Sequence, residues 1–306
     1  MKAFVGGLEK GFDLEEAVDV ADSYSSINTP LLKSLISDEI DRNLKMQQEF
    51  GNKRGETIYD ILHALFISSI DSAHALTRKY AIPPVYEMPF QELSDTADRV
   101  VQQVFFYGDQ DGKESFANFM AQFKGKKEWK IETKDQWVEI KSVIGKPVWI
   151  FANLPLDNTA GDDPDAKAQE MLTGHLLELG LEPTIVIHRG HSYHLKYTIE
   201  QLPYTAKVII LGSCGSYQNL SAVLKVCPEA HIISSKEVGT KLVNEPVLKE
   251  INDALLAGHA LDWAQTWGRL SKMFSSGYAK ERFDNYIPPH KNLGALFIKA
   301  YKNSLL

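Results

Sequence analysis

The chain has 306 residues, a formal net charge of −7 and two cysteines. This length suits one elaborated domain or two domains, and the composition is that of an ordinary globular protein. The acidic balance and the lack of a basic patch interleaved with aromatic residues argue against a nucleic-acid partner. Two cysteines do not make a disulfide framework, and without a run of eighteen apolar residues no membrane partner is expected. If the chain is complete, its amino terminus lacks a signal-peptide core and a cytoplasmic protein is expected; for a fragment the compartment stays unknown.

Residues 1–88 are predicted to form a helical amino-terminal region. The predicted helices are 13–26, one that begins at Pro30, and 57–76. The second helix carries an apolar stripe made of Leu31, Leu35, Ile36, Ile40 and Leu44. The third is apolar nearly all round, so its histidines, His63 and His74, are interpreted as structural residues. Residues 81–89 contain three prolines and are expected to be an extended linker.

Beyond the linker, strands alternate with helices, which predicts an α/β domain with a mainly parallel sheet flanked by helices. This domain is expected to span residues 98–306, including a helical carboxyl-terminal tail. The predicted strands are 100–107, 129–133, 137–143, 147–153, 184–187, 208–211 and 231–234. The predicted helices are 115–123, 166–179, 195–202, 218–226, 246–257, one through Trp263 and Trp267, and 294–301.

Reactive side chains follow two consecutive strands of this domain. His188, His191 and His194 come after the strand 184–187, and Cys214 comes after the strand 208–211. Ligands of open α/β sheets collect at the carboxyl ends of the strands, so a thiol and an imidazole are expected to share one crevice. A thiol attacks as the thiolate, which a nearby imidazole favours.

Glycines flank the thiol that follows the second strand. Gly212 and Gly215 enclose Ser213-Cys214, where they allow a sharp turn and the approach of a substrate carbonyl to the Cys214 amide. The other thiol, Cys227, is expected to be buried and inert.

Two sequence blocks resemble those of the caspase-like cysteine peptidases of clan CD, a group that includes caspases, legumains, clostripains, gingipains and separases. Ile185-Val-Ile-His-Arg-Gly-His-Ser192 is similar to the histidine block, and Val208-Ile-Ile-Leu-Gly-Ser-Cys214 is similar to the cysteine block. The resemblance covers roughly residues 98–260 and does not single out one member of the group. It implies a caspase-like sheet, a peptide or protein substrate and no cofactor.

Carried over residue by residue, the resemblance implies that Cys214 is the nucleophile and His191 the general acid/base. The backbone N–H groups of Ser192 and Cys214 would form the oxyanion hole. Gly190 directly before His191 favours this histidine over His188. Ser192 departs from the glycine usual in the family, and the separation of 214 − 191 = 23 residues is short for it.

Three alternatives stay open at this point. His188, His191, His194 and Cys214 include ligands that suit zinc, although their spacing requires an irregular loop to converge. A caspase-like scaffold or binding module without catalysis is the second. A nucleophile-elbow hydrolase is the third and weakest, because Ser216 stands where that motif has glycine.

Acidic residues also follow the neighbouring strands. Asp109 and Asp111 come after the first strand, and Glu237 comes after the strand that follows Cys214. A carboxylate at these ends is suited to a basic P1 side chain, so a preference for Lys or Arg is the expectation. Solvated loop acids are the alternative, since Gly108-Asp-Gln-Asp-Gly112 is also typical of a turn.

Overall fold

The computed structural model describes residues 5–27, 29–67, 72–157 and 163–305. It divides the chain into two compact units, one made of Met1–Val85 with His290–Leu306 and the other of Tyr86–Pro289. The first boundary lies close to the predicted end of the helical region at residue 88. The second boundary differs from the prediction, because the carboxyl-terminal tail is part of the helical unit and not of the α/β unit.

The helical unit contains the predicted amino-terminal helices. They are α1 (Glu15–Ser26), α2 (Pro30–Glu49), α3 (Lys53–Ile67) and α4 (Ser72–Lys79). The predicted helix 57–76 therefore corresponds to most of α3 and part of α4, with residues 68–71 outside the described part. A final helix, Leu293–Asn303, packs against α1, α3 and α4, which explains why the tail belongs to this unit.

The buried face of α2 differs from the predicted apolar stripe. Ile36 and Ile40 are buried as expected, but Leu31 and Leu35 are 69% and 43% exposed. The rest of the buried face is polar, since Asn43 and Gln47 continue it at helical spacing. The periodicity of apolar residues predicts the helix correctly but part of its buried face wrongly. The reason is that the side-chain amides of Asn43 and Gln47 are buried, at positions that the apolar pattern predicts to be exposed.

The α/β unit consists of alternating strands and helices, with an eight-stranded sheet at its centre. Its strands are β1 (Glu87–Met88), β2 (Val100–Phe106), β3 (Trp129–Thr133), β4 (Trp137–Ser142), β5 (Val148–Asn153), β6 (Ile185–Arg189), β7 (Val208–Leu211), β8 (His231–Ser235), β9 (Leu261–Asp262) and β10 (Tyr286–Ile287). Its helices are α5 (Phe90–Leu93), α6 (Gln110–Ala121), α7 (Pro164–Glu178), α8 (Leu195–Glu200), α9 (Leu220–Val226), α10 (Lys241–Leu256), α11 (Trp263–Met273) and α12 (Gly277–Phe283).

The strand order in the main sheet is β10-β8-β7-β6-β2-β5-β4-β3. The five central strands, β8, β7, β6, β2 and β5, are mutually parallel, and β10, β4 and β3 pair antiparallel at the two edges. The linker strand β1 pairs separately with β9. The predicted α/β class with a mainly parallel sheet is therefore confirmed.

Helices cover both faces of the sheet. On one face, Phe119 of α6 and Val243 of α10 belong to the same core as Val104 of β2. On the other face, Leu172 of α7 packs in a second core with Val101 of β2. Strand β5 lies on one side of β2, and β6, the next parallel strand along the chain, lies on the other side. The direction in which the chain adds strands therefore reverses, and a topological switch point lies between β2 and β6.

Two helices begin earlier than predicted because a side chain caps them. Asp109 Oδ1 accepts a hydrogen bond from Gly112 N at 2.7 Å, so the predicted turn is the first turn of α6. Thr240 Oγ1 accepts one from Leu242 N at 3.3 Å, and α10 begins five residues before Pro246. Among the described helices, none combines the length and apolar character needed to cross a bilayer.

Candidate active site

The candidate site residues occupy the loops that follow four neighbouring parallel strands. Along the carboxyl edge of the sheet, Glu237 follows β8, Cys214 follows β7, His191 follows β6 and Asp109 follows β2. As expected, β6 and β7 are adjacent and parallel, with His188 opposite Leu211 in the register. Adjacent strands lie about 4.8 Å apart, so these loops emerge side by side at one edge.

Cys214 is exposed, and its thiol lies on the β8 side of its loop. Its Sγ is 4.0 Å from the carbonyl oxygen of Gly239. The β8 loop approaches so closely that a Cβ at Gly239 would lie 2.4 Å from the carbonyl carbon of Ser213, so only glycine fits there. Cys227, in contrast, is buried, and burial raises the pKa of its thiol to about 11.

His191 is exposed, and its ring is aligned by a neighbouring tyrosine. The rings of His191 and Tyr193 are nearly parallel, with centroids 5.1 Å apart and planes at 20°. Tyr193 in turn donates a hydrogen bond from its hydroxyl to Asp109 Oδ2 at 3.2 Å. Within the described residues no hydrogen bond joins the His191 imidazole to Cys214 Sγ. The two groups thus share an edge of the sheet without being paired, as is common for catalytic groups before substrate binds.

Asp109 is occupied by internal hydrogen bonds. Besides capping α6 through Gly112 N–H, it accepts hydrogen bonds from Tyr193 and, at 3.0 Å, from His194 Nε2. Burial alone would raise the pKa of Asp109, but these hydrogen bonds outweigh that effect and lower the pKa below its ordinary value. Three internal donors make Asp109 a support for the β6 loop and a poor receptor for a substrate side chain.

The other two predicted substrate carboxylates lie at the surface. Asp111 is exposed in the first turn of α6. Glu237 is exposed beyond β8, where its Oε2 accepts a hydrogen bond from Asn285 Nδ2 at 3.0 Å. These two carboxylates are on loops separated by those of β6 and β7, so the structure does not bring them together.

His188 is fully buried, and both of its ring nitrogens have partners. Nδ1 lies 2.8 Å from Thr198 Oγ1, and Nε2 lies 3.3 Å from the carbonyl oxygen of His191. A carbonyl oxygen only accepts, so Nε2 carries the proton and Nδ1 accepts from the Thr198 hydroxyl. Burial lowers the pKa of His188 to about 3, which keeps the ring neutral. His188 thereby supports the backbone at His191.

The structure does not group the four residues that suggested a metal site. Among the described residues, no three His, Cys, Asp or Glu side chains are grouped so that they could hold a metal ion. His188 is engaged through both nitrogens, and the Nε2 of His194 is committed to Asp109. The crowding of His188, His191 and His194 around one loop reflects support of that loop and not convergence on a metal.

The two predicted oxyanion amides lie outside the sheet ladders. Ser192 begins the 3₁₀ helix Ser192–His194, and Cys214 precedes Gly215, whose φ of 57° is in the left-handed region. In these loops Gly215 N donates to Glu237 O and His194 N donates to His191 O. Within the described loops, neither Ser192 N nor Cys214 N donates to another backbone carbonyl.

A buried ion pair that sequence reasoning missed lies beneath the same edge. Arg189, the last residue of β6, is 1% exposed and pairs through Nη2 with Glu245 of α10, which also accepts from Gln122. The Nε and Nη1 atoms of Arg189 have no partner in the described part of the chain. Neither residue stands out in the sequence, because only the fold brings β6 and α10 together.

A cavity of about 630 Å³ opens between α7 and α8, at the switch point between β2 and β6. Its lining is rich in tyrosine and carboxylate side chains and includes neither His191 nor Cys214. The tyrosines are Tyr107, Tyr193 and Tyr197, and the carboxylates belong to Asp163, Asp165, Glu170 and Glu200. The sequence does place Tyr193 and Tyr197 at helical spacing after β6, but nothing in it connects them to α7.

Comparisons with protein-family models, curated proteins and solved structures return no significant match. The fold and the site geometry are thus the basis on which a function is proposed.

Proposed function

We propose that the α/β unit is a cysteine peptidase in which Cys214 is the nucleophile and His191 the general acid/base. The observation that carries the proposal is the placement of the two residues. His191 lies two residues beyond β6, and Cys214 lies three residues beyond the adjacent parallel strand β7. Crevices at the carboxyl ends of such strands are the usual ligand sites of open α/β sheets.

The surroundings of the two residues support this division of roles. The Cys214 thiol is exposed, and the amide groups of Ser192 and Cys214 belong to the loops that follow β6 and β7. The imidazole of His191 is held by ring contact with Tyr193, whose hydroxyl is fixed by Asp109. The proposal places the substrate carbonyl between the β6 and β7 loops, where the thiolate, the imidazole and the two amides would have to converge on it.

In the proposed reaction the Cys214 thiolate attacks the scissile carbonyl carbon, and the carbonyl oxygen becomes an oxyanion bound by the two amides. His191 donates a proton to the leaving amine, the C–N bond breaks, and a thioester to Cys214 remains. Water then attacks the thioester while His191 accepts its proton. The thiolate of Cys214 leaves, so the products are an amine and a carboxylic acid, and the starting pair of thiolate and protonated His191 is restored.

A basic P1 residue is the proposed preference, with Glu237 and Asp111 as the exposed carboxylates at the edge. Asp109 is assigned to loop support because its lone pairs already accept three internal hydrogen bonds. Fluorogenic peptides that differ only at P1 (Lys, Arg, Asp and Ala) test this on wild-type and E237Q protein. Equal cleavage of all four by wild type would exclude the preference.

The test of the function itself is covalent labelling of the intact protein with a peptidyl acyloxymethyl ketone, read by mass spectrometry, together with peptide hydrolysis. The expected result is one adduct on Cys214, with hydrolysis abolished in C214A and lowered by about 10²–10⁴-fold in H191A. C227S is the matched thiol control and should label like wild type. Unchanged labelling in C214A, or wild-type protein without hydrolysis after addition of calcium and limited proteolysis, would overturn the peptidase proposal and favour a scaffold.

A further inference from the structure

We propose that the cavity between α7 and α8 is a binding site for an organic cation, an alkylammonium or a guanidinium group. The cavity volume of about 630 Å³ lies within the range of ligand sites. Its position, above the switch point between β2 and β6, is where sheets of this kind bind ligands. The inference does not depend on the peptidase proposal, since it concerns binding alone.

The charge of the lining selects the sign of the ligand. Four carboxylates line the cavity, from Asp163, Asp165, Glu170 and Glu200, against one ammonium group, that of Lys196. Within the described part of the chain, Glu170 and Glu200 form no ion pair. An anion would meet uncompensated repulsion here, whereas a cation would gain partners that the protein leaves available.

One of the four carboxylates is a fixed part of the floor. Asp165 is buried and accepts hydrogen bonds from Gly108 N at 2.6 Å and Leu156 N at 2.8 Å. Its oxygens are therefore held in place at the base of the cavity. The exposed carboxylates of Asp163, Glu170 and Glu200 surround the mouth, so a ligand meets their negative charge as it enters.

Aromatic rings provide the second element of cation recognition. Tyr193 and Tyr197 are exposed on the wall, and Tyr107 lies buried on the floor. The Nζ atom of Lys196 already lies 4.6 Å from the centroid of the Tyr197 ring, in cation–π geometry. The Tyr197 ring is therefore placed to interact with a cationic group.

One residue of the lining has a side-chain oxygen without a partner among the described residues. Gln201 donates through Nε2 to Gln169 Oε1 at 3.0 Å and to Tyr197 O at 3.1 Å. Its Oε1 atom is buried and has no hydrogen-bond partner in the described part of the chain.

Two sources provide such a cation, a free amine or the basic side chain of a peptide. Isothermal titration of the intact C214A protein separates them without turnover. The probes are pentylamine, agmatine and Nα-acetyl-lysine amide, with 1-pentanol as the neutral analogue. Saturable binding of the cations but not of pentanol is expected. Tighter binding of the acetylated lysine indicates a peptide side chain, and tighter binding of pentylamine or agmatine indicates a free amine.

Variants locate the binding. E170Q should weaken it by roughly 2–5-fold, as the loss of one partly exposed charge partner does, whereas E178Q, also on α7 but outside the cavity, should not. Y197L should weaken binding by about 2–5-fold and Y197F should preserve it. All four substitutions are at exposed positions, so the fold should survive. The proposal would be overturned if pentanol bound as tightly as the cations, or if no cation gave detectable heat. It would also be overturned if E170Q and E178Q weakened binding equally.

Discussion

Acid is expected to destabilise this protein through one buried imidazole, His188. Its side chain is 0% exposed, and Nδ1 accepts a hydrogen bond from Thr198 while Nε2 donates one to the carbonyl of His191. Protonation would turn Nδ1 into a second N–H donor. It would then face the hydroxyl of Thr198, which is also hydrogen-bonded to the Tyr107 hydroxyl. The folded state therefore resists the proton, while the unfolded chain binds it freely.

The sign and size of the effect follow from the two pKa values. Burial lowers the pKa of His188 to about 3 in the folded state, against 6.5 for an unperturbed histidine. A lowered folded-state pKa means that the stabilisation is fully present above 6.5 and is lost as the pH falls through this window toward 3. Between pH 7.5 and pH 5 the free energy of unfolding should drop by about 2 kcal/mol through this residue alone.

Urea denaturation followed by tryptophan fluorescence at pH 7.5 and pH 5 measures this drop. H188Q keeps a donor and an acceptor but does not titrate, so its pH-dependent loss should be smaller than that of wild type by about 2 kcal/mol. H259Q, at an exposed histidine, is the control and should retain the wild-type dependence. Should H188Q not fold, the His188 ring-proton resonance in wild type should show no titration down to pH 4.5. Equal losses in H188Q and wild type, or a titration near pH 6.5, would refute the reasoning.

Two further predictions concern the same edge of the sheet. Replacing Glu245 with Gln leaves the Arg189 guanidinium buried without its counter-ion, so urea denaturation should show a loss of about 3–5 kcal/mol; D253N on the same helix breaks only an exposed pair and should change less than about 1 kcal/mol. An equal effect of both would show that the buried pair is not special. Brief alkylation with iodoacetamide at pH 8 should modify Cys214 before Cys227, because burial raises the pKa of the Cys227 thiol to about 11. Peptide mapping that finds Cys227 modified first would mean that the exposed thiol is not the reactive one.

The sheet could be predicted from sequence because its signals are local. The runs of β6 and β7 are apolar and β-branched, are bounded by glycine or proline, and flank a short helix, so their order and direction follow from connectivity. The placement of His191 and Cys214 beyond them was accessible for the same reason. That the two lie on neighbouring strands is a consequence of the right-handed βαβ unit and not of their side chains.

The partners of these residues could not be predicted, because they are set by contacts distant in sequence. Asp109 was assigned to substrate binding, yet it caps α6 and supports Tyr193, 84 residues away. Its capping role was hidden because Gly108 to Gly112 has the composition of a free turn. The Arg189–Glu245 pair joins residues that no periodicity relates. Tertiary contacts of this kind determine what a side chain binds, but they leave no trace in the sequence pattern around it.

The helix Leu293–Asn303 determines when the helical unit can be completed during synthesis. The helical unit is discontinuous, because Leu293–Asn303 completes a bundle whose other helices precede the whole α/β unit. At about 5–20 residues per second, synthesis of the intervening Tyr86–Pro289 takes on the order of 10–40 s. During this interval α1, α3 and α4 lack the helix that packs against them and that carries the buried Leu296, Phe297 and Ala300. The α/β unit is therefore made as one continuous stretch, while the amino-terminal helices lack their last partner until Leu293–Asn303 has been made.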